Sequence, residues 1–258
     1  MYKIRFKGGE PLVRKGILGL VESVSRLEKI KDIAMTTNGA LLEKMAVPLR
    51  KSGLHRVNIS LDTLNEKKFR DVTRTGELSE VIRGVEAAKN AGLGVKFNVV
   101  LMKDFNDDEI MDLIELTRIY DADVRFIELM PIGENQGYAK ANFMACEEIL
   151  KVAELRPVES DDPHAPTRYY RYGNAKGRVG FITALSSHFC GDCNRIRLTS
   201  DGKLKPCLHS NQEIDLRSAI RRSEDLGEII SAAIKSKPEK HYLSENRIID
   251  RGMSRIGG

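Results

Sequence analysis

The sequence predicts an α/β fold, in which a parallel sheet or barrel of βα units is followed by a β-rich C-terminal region. Short apolar segments alternate with amphipathic stretches of helical spacing through the first half of the chain. After Met130 this alternation gives way to a Gly- and Asn-containing loop and shorter strands. We therefore divide the chain into a partial barrel, residues 1–140, and a C-terminal region, residues 141–258.

Five βα repeats account for the first region. The predicted strands are short and apolar, with turn residues at their ends, and span 3–6, 32–36, 56–61, 95–101 and 124–129. The predicted helices have apolar residues every three or four positions and span 17–30, 43–52, 79–91 and 107–120. Gly53 and Gly92 stand where helix C-terminal caps are expected. This order of elements is typical of a parallel sheet.

The second region is predicted to be more irregular. Helical spacing covers 146–155 and 225–235, and a strand is expected over 180–184. Two further strands, 195–200 and 204–208, are joined by Asp201-Gly202, which is a strong hairpin signal. No strand is predicted over 157–174, where Pro, Asp, Tyr and Arg are frequent.

Composition restricts the class of protein. The chain has 258 residues, 41% of them hydrophobic and 31% charged, and no apolar run approaches the roughly 18 residues of a membrane span. The N-terminus has no apolar signal core, so we expect a cytoplasmic protein. A net charge of +5 suits a small anionic substrate but is too diffuse to indicate nucleic acid.

Three cysteines form the strongest chemical signal. Cys190, Cys193 and Cys207 have the spacing C-x2-C-x13-C, and the predicted hairpin returns Cys207 to the other two. Clustered thiols in a reducing compartment indicate a metal or redox site rather than disulfides. Cys146 stands apart on a predicted helix.

The spacing leaves two metal centres open. A structural zinc usually has four protein ligands, and His188 or His209 could be the fourth. A [4Fe-4S] cluster bound by three thiolates would keep one iron open for a non-protein ligand, and we favour this interpretation. Arg195 and Arg197 alternate along the following strand, so they either bind a phosphate or carbonyl group or form a solvated face.

Polar residues at the predicted rim of the barrel indicate a second site. Gly8-Gly9 at the end of the first strand would let a ligand approach the backbone, and Glu10 could bind an ammonium group, although an ordinary loop has the same composition. Polar side chains also interrupt strands that otherwise look buried, and they need partners there. These residues are Thr36, Ser60, Lys96, Asn98, Arg125 and Glu128.

In this order, the motifs GGEP, TTNG, C-x2-C-x13-C and the terminal Gly-Gly closely resemble those of the GTP 3',8-cyclases over residues 3–258. These radical S-adenosylmethionine (SAM) enzymes begin molybdenum cofactor biosynthesis. The resemblance implies an incomplete (β/α) barrel of the radical SAM type with a C-terminal iron-sulfur elaboration. It also implies that the ribose C3' of GTP loses hydrogen to a 5'-deoxyadenosyl radical and then attacks guanine C8.

The same resemblance implies the site residues. SAM would contact Gly9, Ser60 and Met130. The residues implied for GTP are Arg5, Thr36, Lys96, Arg195, Ile196 and Arg197, with Asn98 and Arg125 as further cavity contacts. Cys190, Cys193 and Cys207 would bind a second [4Fe-4S] cluster whose open iron contacts guanine. The tail glycines, Gly257 and Gly258, would insert toward the active site.

Two features depart from the family pattern. The sequence contains no C-x3-C-x2-C segment for the first [4Fe-4S] cluster, which reduces SAM, and Lys7 stands where the family usually has threonine. We expect an N-terminally truncated cyclase lacking the first βα unit, which binds the second cluster and GTP weakly but cannot cleave SAM alone. The uncovered first strand would favour low stability or a homodimer.

The expected partners are GTP and the cyclic pyranopterin monophosphate synthase that acts downstream, without nucleic acid or membrane. Two alternatives remain at this point. One is a non-catalytic iron-sulfur and nucleotide-binding protein, and the other is a zinc-stabilised barrel enzyme with another substrate.

Overall fold

An eight-stranded sheet forms the body of the protein. The computed structural model describes residues 2–132, 136–160, 162, 166–187, 190–238 and 251–252. The strands are β1 (Lys3–Phe6), β2 (Asp32–Thr37), β3 (Arg56–Ser60), β4 (Gly94–Leu101), β5 (Asp123–Glu128), β6 (Leu155–Val158), β7 (Arg168–Tyr172) and β8 (Val179–Ile182). Their order in the sheet is β1-β2-β3-β4-β5-β8-β7-β6. Strands β1 to β5 and β8 are parallel, and β7 pairs antiparallel with both β8 and β6.

Helices connect the strands, and those that precede β5 cover one face of the sheet. They are α1 (Ile17–Ser25), α2 (Leu42–Lys51), α3 (Glu66–Thr73), α4 (Leu78–Asn90), α5 (Ile110–Ile119), α6 (Gln136–Ala141), α7 (Leu216–Arg221) and α8 (Leu226–Lys235). In the described part of the chain, no helix has the length and apolar character needed to cross a membrane.

The two faces of the sheet differ in chemistry. Side chains of neighbouring parallel strands at the same register point to the same face, so one row joins Thr36, Asn58, Lys96 and Asp123. The alternate positions carry the core that packs under the helices: Ile33, Met35, Val57, Ile59, Phe97, Val99, Val124 and Phe126. One face is therefore the hydrophobic core, and the other is a polar surface that remains available for a site.

The C-terminal region adds a second, smaller sheet. Strands β9 (Arg197–Leu198), β10 (Lys203–Lys205) and β11 (Ile214–Asp215) pair antiparallel in the order β11-β10-β9. Leu204, Leu216 and Ala233 form their own small apolar cluster, so α7 and α8 pack on this sheet. The hairpin turn contains Gly202 with φ of 84°, a conformation that favours glycine.

Most predicted elements of the first region are confirmed to within a few residues. Helix α1 is shorter than expected and ends at Ser25, because the chain must turn before Lys31 to reach β2. The Lys31 amide already donates to the carbonyl of Tyr2 at 2.8 Å, which starts the pairing with β1. The interpretation of helix α1 through residue 30 was wrong, since Leu27 and Ile30 continue its apolar spacing without continuing the helix.

The C-terminal predictions needed more correction. Residues 146–155 do not form an α-helix, because a 3-10 helix covers only Cys146–Lys151 and β6 already begins at Leu155. Strands β6 and β7 lie in the segment for which no strand was predicted, and α3 was also missed. The predicted Asp201-Gly202 hairpin is confirmed, with Leu204 opposite Leu198, but its strands are shorter than expected.

Candidate substrate and cluster site

A hydrogen-bonded group of side chains lies at the centre of the polar face. Arg125 donates to Asn58 Oδ1 at 2.7 Å, and Asn58 Nδ2 donates to Thr36 Oγ1 at 3.4 Å. Asn58 is fully buried and Arg125 is 6% exposed. Arg125 Nε and Asn98 Oδ1 are buried without a hydrogen-bond partner among the described residues. This donor and acceptor are therefore available to a ligand on this face.

Positive charge accumulates beside this group. Burial and the charges of Arg125, Arg56 and Arg195 lower the pKa of Arg5 to about 9, although its side chain remains open to solvent along part of its length. Burial and the charge of Arg195 lower the pKa of Arg197 to about 10, although Cys193 and Cys207 act in the opposite direction. Burial also lowers the pKa of Arg125.

This cation group includes Lys7 as well as the predicted arginines. Burial and the charges of Arg5, Arg197, Arg195 and Arg125 lower the pKa of Lys7 to about 7. Among the described residues, Arg5, Arg125 and Arg197 form no ion pair with a carboxylate. The cations repel one another, so an anionic ligand would be stabilised there.

Lys96 differs from the other predicted cations because a carboxylate already binds it. Its Nζ lies 2.7 Å from Asp123 Oδ2, and Arg178 holds the same carboxylate at 3.1 Å. Burial opposes ionisation of Asp123, but these contacts lower its pKa overall. The ring of Tyr169 stacks 4.1 Å from the Arg178 guanidinium and completes this side of the face.

Two of the three clustered cysteines share a tight turn. Residues Cys190–Asp192 form a 3-10 turn in which the Cys193 amide donates to the Cys190 carbonyl at 3.2 Å. Burial would raise the pKa of Cys193, but the charge and hydrogen bonds of Arg195 and a hydrogen bond from Lys237 lower it to about 7. Arg197 lies near both Cys193 and Cys207, since both thiols act on its pKa. These contacts favour the thiolate of Cys193, and thiolate is the metal-binding form of cysteine.

Within the part of the chain that the structure describes, the side chains form no ready-made site for a single metal ion. Among the described residues, no three His, Cys, Asp or Glu side chains converge on the position of a single ion. Tetrahedral zinc with Zn–S bonds of about 2.3 Å brings its thiolates to about 3.8 Å from each other. In a [4Fe-4S] cluster each thiolate binds a different iron, so the three sulfurs stand farther apart.

His209, one of the two histidines proposed as a zinc ligand, contacts Met130. The Nε2 atom of His209 lies 3.2 Å from the Sδ atom of Met130, so this nitrogen faces the end of β5. His188 lies outside the described residues. The contact instead links the cysteine segment with Met130, a residue predicted to contact SAM.

The loop after β1 is joined to the loop after β2 by Glu10. Its Oε1 accepts from Thr37 Oγ1 at 2.8 Å, and its Oε2 accepts from the Asn38 amide at 2.7 Å. Glu10 therefore has a structural role here, beyond the ammonium binding predicted for it. A Cβ on Gly8 or Gly9 would meet no atom within 4 Å, which leaves space for a ligand beside the backbone. Ser60, at the end of β3, is exposed toward the same rim.

Glu128 does not line the polar face, and that expectation was wrong. It is fully buried at an alternate position of β5, on the core face. Its carboxylate accepts from the amides of Leu185 at 2.7 Å and Ser186 at 2.9 Å. Glu128 thus fixes the chain shortly before Cys190, and sequence alternation along β5 could have revealed its orientation.

Cys146 cannot serve a first cluster. Its side chain is fully buried in the main hydrophobic core, and its thiol contacts the carbonyl of Phe126 at 3.5 Å. Burial raises its pKa, as do the charges of Glu128 and Glu147. The residues present do not fit the SAM-reducing cluster, because the sequence has no other cysteine outside the C-terminal three.

The remaining predicted residues lie at the edge of the site. The Ile196 side chain packs against the small apolar cluster, so its main chain is the part that could face a ligand. Gly257 and Gly258 lie outside the described residues. Nearby, Arg251 binds Asp201 at 2.7 Å and Glu213 at 3.0 Å, which holds residue 251 against the small sheet.

Known proteins match this chain along most of its length. Residues 2–117 match the radical SAM superfamily, and residues 122–243 match the family described as Molybdenum Cofactor Synthesis C. The GTP 3',8-cyclase of Alkaliphilus metalliredigens is 52% identical over 99% of this chain and 81% of its own length. The chain belongs to the GTP 3',8-cyclase family. The family member from Peptoclostridium acidaminophilum is 49% identical, over 99% of this chain and 80% of its own length.

Membership of the GTP 3',8-cyclase family confirms the radical SAM type of barrel and implies a [4Fe-4S] cluster and SAM as cofactors. A radical SAM methyltransferase from Sphaerobacter thermophilus aligns with 55% of this chain and 46% of its own, with a TM-score of 0.41 and 19% identity. That structural likeness is too low to add to the family assignment. The predicted division at residues 140 and 141 stays a prediction.

Proposed function

We propose that this chain acts in the GTP 3',8-cyclase reaction of molybdenum cofactor biosynthesis, with GTP held between the polar face and the cysteine segment. One observation carries the proposal. Besides burial, the charges of Arg125 and Arg195 lower the pKa of Arg5, and the charge of Arg195 also lowers that of Arg197, so these four arginines lie close together. Cys193 also acts on the pKa of Arg197 and therefore lies near it. The cationic site is thus continuous with the proposed cluster site.

The triphosphate is the part of GTP that this charge suits. It carries about four negative charges near neutral pH, and arginine binds phosphate oxygens through paired N–H groups. Arg5, Arg195 and Arg197 would bind the phosphates. Lys96, which Asp123 already holds at 2.7 Å, would act as a hydrogen-bond donor more than as an uncompensated charge.

The guanine and ribose would lie toward the centre of the polar face. Asn58 donates to Thr36 Oγ1, so the Thr36 hydroxyl keeps its own proton for a ligand acceptor. Asn98 offers a buried acceptor and Arg125 a buried donor, both without partners among the described residues. These groups would fix the base and sugar by hydrogen bonds rather than by charge.

The cofactors would bind next to this substrate position. We assign Cys190, Cys193 and Cys207 to the substrate-side [4Fe-4S] cluster, and Gly9, Ser60 and Met130 to SAM. When reduced, SAM supplies the radical chemistry that the family applies to the ribose. Because this sequence does not provide three ligands for the reducing cluster, we derive no step through it.

The surroundings of the reaction follow from its chemistry. Thiols that bind iron need a reducing compartment, so we propose the cytoplasm. The cyclised nucleotide would pass to cyclic pyranopterin monophosphate synthase.

A homodimer through the edge of β1 is also part of the proposal, because β1 pairs only with β2 in the described sheet.

Calorimetric titration of the anaerobically reconstituted protein tests the binding role. We expect GTP to bind at least tenfold more tightly than GMP or ATP, because both the phosphates and the base are recognised. Arg5→Ala should weaken GTP binding roughly tenfold and leave guanosine binding unchanged. The exposed Arg26, paired with Glu22 on α1, gives the control Arg26→Ala. Equal binding of GTP, GMP and ATP would contradict the proposal.

A further inference from the structure

Tyr169 reaches the polar face from outside the parallel strands. It lies on β7 opposite Gly180 of β8, and Gly180 in turn lies opposite Arg125 of β5. Because residues at the same register point to the same face, Tyr169 shares the face that carries Arg125. Tyr169 is only 8% exposed. A tyrosine that no sequence motif indicated is thus buried beside the position proposed for the substrate.

Gly180 makes room for this ring. A Cβ at Gly180 would lie 3.1 Å from Cε1 of Tyr169, 3.1 Å from Cγ of Arg125 and 2.5 Å from Cγ2 of Thr167. The space that a side chain would fill at Gly180 is therefore taken by its neighbours. The bare backbone of β8 lets Tyr169 and Arg125 approach each other across the strand that separates them.

The hydroxyl of Tyr169 ends among the polar groups of the site. It lies 3.5 Å from Lys96 Nζ. Burial lowers the pKa of Arg125, and a hydrogen bond to the Tyr169 hydroxyl opposes this effect. Arg125 also donates to Asn58 Oδ1 at 2.7 Å. The Arg125 guanidinium is therefore held from two sides, by a residue of β3 and by a residue of β7.

A second cation fixes the Tyr169 ring itself. The Arg178 guanidinium lies 4.1 Å from the ring centroid, which is typical of a cation–π contact. Arg178 pairs with Asp123 at 3.1 Å, and Asp123 also holds Lys96 at 2.7 Å. Lys96 therefore has a closer partner than the hydroxyl, and its position does not depend on Tyr169.

We propose that Tyr169 is a positioning residue for the nucleoside part of the substrate, and that it acts by holding the Arg125 guanidinium toward the bound base and ribose. The inference rests on the proposed function, in which Arg125 contacts the nucleoside and other arginines bind the phosphates. A neutral phenol oxygen accepts a hydrogen bond from the guanidinium without cancelling its charge. Tyr169 thus orients Arg125 and leaves its charge and its remaining donors to the ligand.

The distinctive consequence is a loss of affinity confined to the nucleoside. Tyr169→Phe keeps the ring on Arg178 and removes only the hydroxyl, so Arg125 is free to turn away from the ligand. Binding of GTP and of guanosine should weaken by the same factor, roughly five- to tenfold. Binding of inorganic triphosphate should change by about twofold at most, because that ligand contacts only the phosphate-binding arginines.

Calorimetric titration of the anaerobically reconstituted protein with GTP, guanosine and inorganic triphosphate measures this pattern. Tyr170→Phe is the matched control, because Tyr170 is the next residue of β7 but packs against Phe181 and the main core, with ring centroids 4.6 Å apart. It removes the same atom and should leave all three affinities within about twofold of the wild type. In an Arg125→Met background, Tyr169→Phe should change GTP affinity by about twofold at most, since the guanidinium that it holds is gone.

The outcomes separate the two proposals. Unchanged GTP and guanosine affinities in Tyr169→Phe would overturn the role of Tyr169 alone. An equal loss for inorganic triphosphate would also overturn it, because a general disturbance of the fold weakens all three ligands alike. So would a full loss that persists in the Arg125→Met background. Failure of the wild-type protein to bind GTP would overturn both the role of Tyr169 and the proposed function.

Discussion

Asn58 links Arg125 and Thr36 by hydrogen bonds behind the proposed substrate position. It is fully buried, accepts a hydrogen bond from Arg125 at 2.7 Å and donates to Thr36. A buried guanidinium needs such an acceptor, because desolvated charge without partners is costly. Asn58 therefore determines where Arg125 and Thr36 present their remaining hydrogen-bonding groups.

Replacing Asn58 tests this role at the residue scale. We expect Asn58→Ala to lower the free energy of unfolding by about 1–3 kcal/mol, because Arg125 loses a buried acceptor. Urea denaturation of the variant and of Asn90→Ala, an exposed control at the end of α4, measures the difference. The control should change by less than about 0.5 kcal/mol. Equal stability of the two variants would show that Arg125 does not depend on Asn58.

Single residues could be predicted only in part. The polar character of Thr36, Asn98 and Arg125 within otherwise apolar strands is enough to predict a lined face from the sequence. The role of Asn58 depends on register between strands, and the grouping of Arg5 with other cations depends on charge from the distant segment at Arg195, which no local pattern encodes. Glu128 was misplaced because its charge was considered without the two-residue alternation of β5.

At the scale of elements, the contact between α4 and the loop after β2 is unusually close. A Cβ on Gly84 would lie 2.4 Å from the carbonyl oxygen of Gly39 and 3.0 Å from Leu42 Cβ. Both neighbours are backbone or near-backbone atoms, so they cannot move without shifting α2 or the loop. The absence of a side chain at Gly84 therefore sets the packing of α4 against α2 and the loop after β2.

Two glycine substitutions test this packing as a matched pair. Alanine favours a helix over glycine by about 1 kcal/mol, yet Gly84→Ala should destabilise the protein by about 1–3 kcal/mol through the clash. Gly19→Ala in α1 meets no atom within 4 Å, so it should stabilise by about 0.5–1 kcal/mol. Chemical denaturation checks both signs. A stabilising Gly84→Ala would mean that α4 stands farther from Gly39 than described.

The elements differ in how far the sequence predicts them. Strands such as β4 alternate between buried apolar residues and less buried residues with a two-residue period, so their position is encoded locally. Strands β6 and β7 are rich in charged and tyrosine residues, and they form because they extend the edge of the sheet beyond β8. Their pairing is a tertiary effect, which propensity alone does not reveal.

At the scale of the whole molecule, the small sheet brings the segment that carries Cys193 and Cys207 to the polar face of the large sheet. Three observations support this arrangement. Arg195 acts on the pKa of Arg5, His209 contacts Met130, and Glu128 holds the segment before Cys190. The hairpin signal predicted that Cys207 returns toward the other two cysteines. Only the folded chain shows which face of the barrel they join.

The central claim is that one site holds the cluster and GTP together. The most direct measurement is the electron paramagnetic resonance spectrum of the anaerobically reconstituted, reduced protein, recorded during titration with GTP and, as a control, with ATP. We predict about four iron and four sulfide per chain, and a spectrum whose g-values shift with GTP but not with ATP, because guanine reaches the open iron. A zinc-loaded protein without sulfide, or a cluster spectrum that GTP leaves unchanged, would contradict this account.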